Sequence, residues 1–468
     1  VYLISLELFN LRAAIFGAIL YNFYGPALMY EGTLLRASLL AFLGPLSLYL
    51  VIQVIKNPKP YLVVAAGIAI SLFIQCRPNV SIIFILLPLL YFYPFDKRTL
   101  QLLLKMGLVA LIFFLPLLIR GWIVHGKFVF FDASGPAAFL IGNHPDYGGV
   151  SLVAELEHPG GLNMEFGEMF SIFMDRLTEQ PMGMVGLYIR KLYYLFSSLE
   201  PYNNYDYLLF KKFSILLNTP LANFSLISSL ALSGLVFRIG KGRNIKLLYG
   251  FMGGITVAVL LFFLLARFRV PAVPYFAIFA GFTLDTFIRW LKQRQWIKSV
   301  QIFLFCSLLI VIFNIPELTR GTQQAYWDDL YFQIGLNLAS SERYSQAIEP
   351  LDHYLKNNPG DMHTLSVRAL ALRKTGDTRR SVMTYQKIIS LEPENAEAQF
   401  NLANLYAEGG DWEKAMFHIK LAERYFKKPE DLNWLHLAQE QNNKFLKQDN
   451  TLVKFTDPPD IQIWKQKD

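Results

Sequence analysis

The chain changes pattern part-way along. Up to about residue 316 its apolar residues form long uncharged runs, and beyond that point apolar and charged positions alternate in short periods. The runs lie near 11–30, 37–55, 60–76, 79–95, 104–120, 214–237, 247–266, 270–288 and 299–316. Each is long enough, or nearly so, to cross ~30 Å of hydrocarbon at ~1.5 Å per helical residue. Alternate connections carry the positive charge: Lys56 and Lys59; Lys97 and Arg98; Arg238, Lys241, Arg243 and Lys246; Arg289, Lys292, Arg294 and Lys298. By the positive-inside rule these face the cytoplasm. That places 31–36, 77–78, the long segment 121–213, 267–269 and everything after 316 outside. The first run then travels outward. The chain starts at Val1, already in apolar sequence and without Met, so a fragment is expected; if the complete protein starts in the cytoplasm, at least one outward loop precedes Val1.

Segment 121–213 is too long for a simple connection. It opens with "GKFVFFDASGPAAFLIGNHPDYGG", where Gly, Pro, Asn and Asp mark turns. "EMFSIFMDRLTEQ" and "GMVGLYIRKLYYLFSSLE" follow with helical spacing. The second is aromatic on one side and carries Arg190 and Lys191, the pattern of a helix lying in the membrane interface. "RFRVPAVPY" raises a separate expectation. Pro271 disfavours helix at Val270, so Arg267 and Arg269 are predicted on a short extended link, on one face and about 7 Å apart.

Beyond residue 327 the chain repeats with a period of 34. Gly335, Ala369 and Ala403 match, as do Ala347, Ser381 and Ala415, and Leu351, Tyr385 and Ile419. Pro359 and Pro393 close two repeats, and Lys427 stands in the third place. Small residues at these positions let paired helices approach, and the proline ends the second helix. The pattern resembles the tetratricopeptide repeat. Repeats at 328–361, 362–395 and 396–429 meet the minimum for a stacked core. A linker (317–327), a capping helix at 429–448 and a tail (449–468) complete this part. The expected fold is all-α, a polytopic membrane bundle over 1–316 followed by an α-solenoid.

Composition supports the membrane assignment. Hydrophobic residues make up 53% and charged residues 17% of the sequence, too apolar for an ordinary soluble protein. The net charge of +8 arises in the first 316 residues, with 25 basic and 14 acidic groups; the remainder holds 19 and 22. Neither part clusters its cations as a nucleic-acid surface would. Cys76 and Cys306 lie in apolar runs and are expected as buried free thiols. His125, His144 and His158 lack the paired spacing of a zinc site. The Walker loop, GxGxxG and GxSxG patterns are missing from the sequence.

What remains is a set of polar and charged groups at the outward boundary: Glu31, Arg77, Arg120, Asn143, Asp146, Lys191, Glu200, Arg267 and Arg269. Arginine offers a planar fork of donors that suits phosphate and stays charged beside lipid. Such a ring suits a lipid phosphate whose head group reacts outside the cytoplasm. A single arginine there could equally be an interfacial anchor.

The order "YGPALMYEGTLLRASLLAFL", "CRPN", "IRGWIVHGKFVFFDASGPAAFLIGNHPDYGG", "IRKLYYLFSSLEPYNNYD" and "RFRVPAVPYFAIFAG" resembles bacterial glycosyltransferase family 39. These are polytopic GT-C enzymes similar to dolichyl-phosphate-mannose protein mannosyltransferases and to the lipid A aminoarabinose transferase. The similarity covers roughly residues 10–290. One departure is Gly121, where many relatives have Asn. The resemblance implies a polyprenyl-phosphate sugar donor and inversion at the anomeric carbon, in a multi-pass inner-membrane protein. Arg77, Arg120, Lys191, Arg267 and Arg269 would hold the donor phosphate. One of Glu31 and Glu200, Glu31 by preference, would orient the acceptor, or a divalent cation, beside a principal base upstream of Val1. Asn143 and Asp146 would face the acceptor or shape its loop. No other cofactor is implied, and a protein partner or acceptor is expected on the repeats, outside the cytoplasm. Two alternatives stay open: an O-antigen ligase or polymerase, and a non-catalytic membrane-anchored repeat scaffold.

Overall fold

The computed structural model describes residues 1–446 except 34, 85–96, 126–134, 145–165, 202–206, 208–209, 212–213, 220, 238–242, 263 and 427–431. Its chain forms two compact units, Val1–Thr322 and Gln323–Asp468. In the first, the helices are α1 (Tyr2–Leu8), α2 (Leu11–Asn22), α3 (Gly25–Glu31), α4 (Arg36–Lys56), α5 (Pro60–Cys76), α6 (Lys97–His125), α7 (Gly135–Gly142), α8 (Phe166–Glu179), α9 (Pro181–Phe196), α10 (Phe224–Val236), α11 (Arg243–Leu260), α12 (Ala266–Arg269), α13 (Val273–Lys292), α14 (Trp296–Ile312) and the start of α15 (Pro316–Ser340). Among the described residues there is no strand, only an isolated bridge between Tyr24 and Ala222. Three helical stretches are long and apolar enough to cross a membrane by length and composition: Arg36–Lys56, Lys97–Val124 and Ala266–Lys292.

Several expected runs are met closely. The run 60–76 is α5, with Pro60 in the first turn where its missing N–H costs nothing. Others are not continuous, among them 247–266, whose helix ends at Leu260, and two runs whose breaks adjoin each other. Run 11–30 splits at Phe23 and Tyr24, because Gly25 and Pro26 start a new helix. Among the described residues of run 214–237, Leu216–Asn218 and then α10 are helical, and Asn223 caps α10 by accepting the Leu226 N–H at 3.0 Å. The two interruptions meet, and the Ala222 N–H donates to the Phe23 carbonyl at 2.8 Å. Backbone freed from one helix is thereby satisfied by the other, as an apolar surrounding requires. Of run 79–95, residues 85–95 lie outside the described residues.

α2 and α13 cross at their glycines. A Cβ on Gly281 would stand 2.6 Å from the Ala13 carbonyl oxygen, and one on Gly17 would stand 2.9 Å from that of Ala277. Small residues here let two backbones touch, the usual device for packing helices without polar contacts. At the far end of α13, buried Asp285 accepts from Asn10 Nδ2 at 2.8 Å and pairs with Arg289 at 3.1 Å, while the Asn10 carbonyl oxygen Oδ1 caps α2.

The second unit carries the repeats. After α15 come α16 (Tyr344–Asn357), α17 (Met362–Lys374), α18 (Thr378–Leu391), α19 (Ala396–Glu408), α20 (Trp412–Tyr425) and α21 (Leu432–Leu446). The small positions do what their spacing implies. Ala347, Ala369, Ala403 and Ala415 are fully buried; a Cβ on Gly335 would stand 2.6 Å from Leu351 Cδ2; Ser381 donates to the Ala369 carbonyl at 2.9 Å. The turn inside each pair is left-handed at Glu342, Gly376 and Gly410. Residues 317–327, expected as a linker, are instead helical and belong to α15. The tail 449–468 lies outside the described residues.

Candidate functional site

"RFRVPAVPY" is helical, which corrects the expected extended link. α12 runs Ala266–Arg269, Val270–Ala272 tighten to a 3-10 turn, and α13 follows. Pro271 and Pro274 each fall in the first turn of a new helical segment, the position where proline's fixed φ and missing donor are tolerated. The two arginines consequently diverge.

Arg269 turns inward and is 1% exposed. Its Nη1 donates to the carbonyls of Tyr194, Leu195 and Ser197 at 3.2, 3.2 and 3.0 Å, and its Nη2 to Leu199 at 2.7 Å. Tyr194 and Leu195 lie in the last turn of α9, and Ser197 and Leu199 lie just past it, where the helix dipole also favours a cation. Nη2 further pairs with Glu200, whose other oxygen accepts from the buried Tyr24 hydroxyl at 2.9 Å. Burial pushes the Glu200 carboxyl up, and Arg269 and Tyr24 pull it back. Two residues expected in separate roles, donor binding and catalysis, thus form one buried ion pair.

Arg267 faces the other way. Its guanidinium carbon lies 4.7 Å from the centre of the Phe268 ring, and that of Arg77 lies 3.9 Å from the same centre. Arg36, the first residue of α4, donates to the Cys76 carbonyl at 3.4 Å, next to Arg77. No carboxylate pairs with Arg36, Arg77 or Arg267 among the described residues, and Arg267 Nε is buried without a partner. Burial, then Arg267, then Arg36 push the Arg77 guanidinium down to about 9. Three cations held together with no paired carboxylate among the described residues make a site whose electrostatics an incoming phosphate would improve.

A third cluster joins Asn143 and Lys191. Lys191, fully buried, donates to Leu260 O at 2.9 Å and Asn143 Oδ1 at 3.3 Å. The Tyr188 hydroxyl donates to the same oxygen at 2.7 Å, and Asn143 Nδ2 donates to the carbonyls of Phe139 and Leu261, each at 2.8 Å. Burial lowers the Lys191 amine to about 7. Its helix neighbour Arg190 is exposed. Glu31 and Arg120 are exposed and make no ion pair among the described residues. Asp146 lies outside those residues. Cys76 and Cys306 are free thiols, and no three His, Cys, Asp or Glu side chains gather as metal ligands among the described residues.

Sequence reasoning did not single out Arg36. The available signal was its place at the start of α4, opposite the end of α5 where Arg77 sits.

Comparison with known proteins bears on the repeats. Residues 384–417 match the tetratricopeptide repeat family model. Photosystem I assembly protein Ycf3 of Synechococcus sp. (strain CC9902) is 23% identical over 163 residues, 34% of this chain and 91% of that protein. A mitochondrial pentatricopeptide repeat-containing protein of Arabidopsis thaliana is 39% identical over 70 residues, 15% of this chain. The chain spans 7% of that plant protein's length.

Proposed function

We propose that the chain is a multi-pass membrane glycosyltransferase of the GT-C type, moving a sugar from a polyprenyl-phosphate donor to an acceptor outside the cytoplasm, with the repeats holding a protein partner or the acceptor. The observation that supports it is the convergence of Arg36, Arg77 and Arg267 with no carboxylate paired to them among the described residues, Arg77 and Arg267 over Phe268. In this reading the donor phosphate sits on that cluster. Charge accumulates on the phosphate as the glycosidic C–O bond breaks, and the fixed guanidiniums stabilise it most at that stage. Arg269 and Glu200 brace the site from behind. Glu31, exposed at the end of α3, remains the carboxylate free to orient an acceptor.

A second reading, a membrane-anchored scaffold without catalysis, is favoured by the repeat match at 384–417. Binding separates the two. The chain in lipid nanodiscs should bind a polyprenyl phosphate, and Arg77→Gln or Arg267→Gln should weaken that binding by about tenfold or more, the value of one charge-assisted contact. Wild-type affinity in both variants overturns the donor site and leaves the scaffold.

A further inference from the structure

The second helices of repeats two and three, α18 and α20, are buried on one side through Ser381, Tyr385 and Ile388, and through Ala415, Ile419 and Ala422. Their outer sides carry an unusual pairing. Met383 is 59% exposed and Phe417 61% exposed, and the two hold the same position in successive repeats. Equivalent positions of successive repeats recur on the same side of a solenoid, one repeat apart. Around these apolar groups stand Arg379, Lys387, Lys420 and Arg424, all exposed and without an ion-pair partner among the described residues. Arg379, Met383 and Lys387 are four residues apart on α18, and Phe417, Lys420 and Arg424 are three and four apart on α20. Each trio therefore lines one helix face. One acid, Glu413, shares that face in the first turn of α20.

We propose that this outer face of repeats two and three docks on an anionic lipid surface, Met383 and Phe417 entering the head-group layer while the four cations meet lipid phosphates. Unpaired cations ringing exposed Met and Phe are what such a surface selects: charge draws the face in, and the apolar side chains gain by leaving water. A protein ligand of the same charge would leave the two apolar side chains to be buried in a pocket of its own. The inference is independent of sugar transfer.

Met383→Cys, labelled with an environment-sensitive fluorophore in a Cys76→Ser, Cys306→Ser background, gives the readout on the full chain. In nanodiscs of phosphatidylcholine mixed with phosphatidylglycerol the emission should shift to the blue, and raised salt should reverse it. Nanodiscs of phosphatidylcholine alone should give no shift. Reversing three charges, Lys387→Glu, Lys420→Glu and Arg424→Glu, should abolish the shift with an unchanged melting temperature, since each cation is worth about fivefold in partitioning. Equal emission in both lipids, or a shift that survives charge reversal, overturns the proposal. So does a shift seen only on adding an acidic protein, which would assign the face to a protein partner.

Discussion

Replacing Arg269 with Met should destabilise the first unit severely, because the buried side chain ties the end of α9 to Glu200. The substitution keeps most of the volume but removes the donors. Four carbonyls of α9 and its exit, at Tyr194, Leu195, Ser197 and Leu199, lose the Arg269 donors together with the Glu200 carboxylate, and Tyr194 keeps the Ser197 hydroxyl. Breaking a buried ion pair by removing one member costs about 3–5 kcal/mol, and protonation of Glu200 keeps the loss from growing further. At roughly 2 °C per kcal/mol, the lower end for large units, the melting temperature should fall by about 6–10 °C. Thermal unfolding in detergent with a thiol-reactive dye is a direct assay, because Cys76 and Cys306 are free. Arg267→Met, with no carboxylate to strand, should shift the midpoint by less than about 2 °C. Glu200→Leu added to Arg269→Met should recover part of the loss, since the two side chains are coupled. Near-identical midpoints for Arg269→Met and wild type would refute the bracing role. An equal fall in Arg267→Met would refute the distinction between the two arginines.

The buried amine of Lys191 should give a pH dependence of definite sign. Its folded value near 7 lies below the unfolded 10.5, so the unfolded chain holds the extra proton between them and stability rises with pH across that window. Melting temperatures should therefore climb for wild type relative to Lys191→Met as pH rises from 7, and parallel pH profiles would count against it. At the α2–α13 crossing, Gly281→Ala should lower stability by about 1–3 kcal/mol by forcing backbones apart. Gly253→Ala, whose Cβ meets nothing within 4 Å, should raise it by about 0.5–1 kcal/mol; thermal unfolding of both reads the contrast, and a loss at Gly253 matching that at Gly281 would refute it.

The elements most legible in sequence are those whose signal is local and redundant. α5 is bounded by Pro60 and Arg77, and the repeats announce their helix contacts through Ala347, Ala369 and Ala403, all fully buried. The misread elements are those where one local rule met a tertiary partner. Pro271 does bias Val270 away from helix, yet a proline that opens a fresh turn is compatible with one, and the Arg269 contacts with α9 hold it there. Run 214–237 reads as one span because Leu216, Leu217 and the residues after Asn223 are equally apolar. The break is visible only once Ala222 meets Phe23. Lys191 was legible as a cation on an interface helix but not as a buried one. α9 is apolar on both sides, with Met184 and Leu187 inside and Met182 and Ile189 out. Periodicity alone could not decide which side a lysine would join. Arg36 escaped notice because its significance depends on α5 ending beside it.

The helix ends of the second unit recur as regularly as its core. Asp361 and Asn395 cap α17 and α19 by accepting the N–H groups of Thr364 and Ala398, and Asp377 and Asp411 cap α18 and α20 in the same way. Each pair is one period apart, as are the left-handed glycines Gly376 and Gly410. A segment cut at the caps of two successive first helices, from 361 to 394, is therefore an interchangeable length of solenoid. Duplicating it would reproduce both caps and the turn between them without a new residue, so the array can lengthen with no stranded amide. The first repeat lacks that property. Arg343 gives α16 no side-chain cap, and Glu342 bears the left-handed turn without glycine's freedom. Growth of the array is thus cheap at its later repeats and costly at its start.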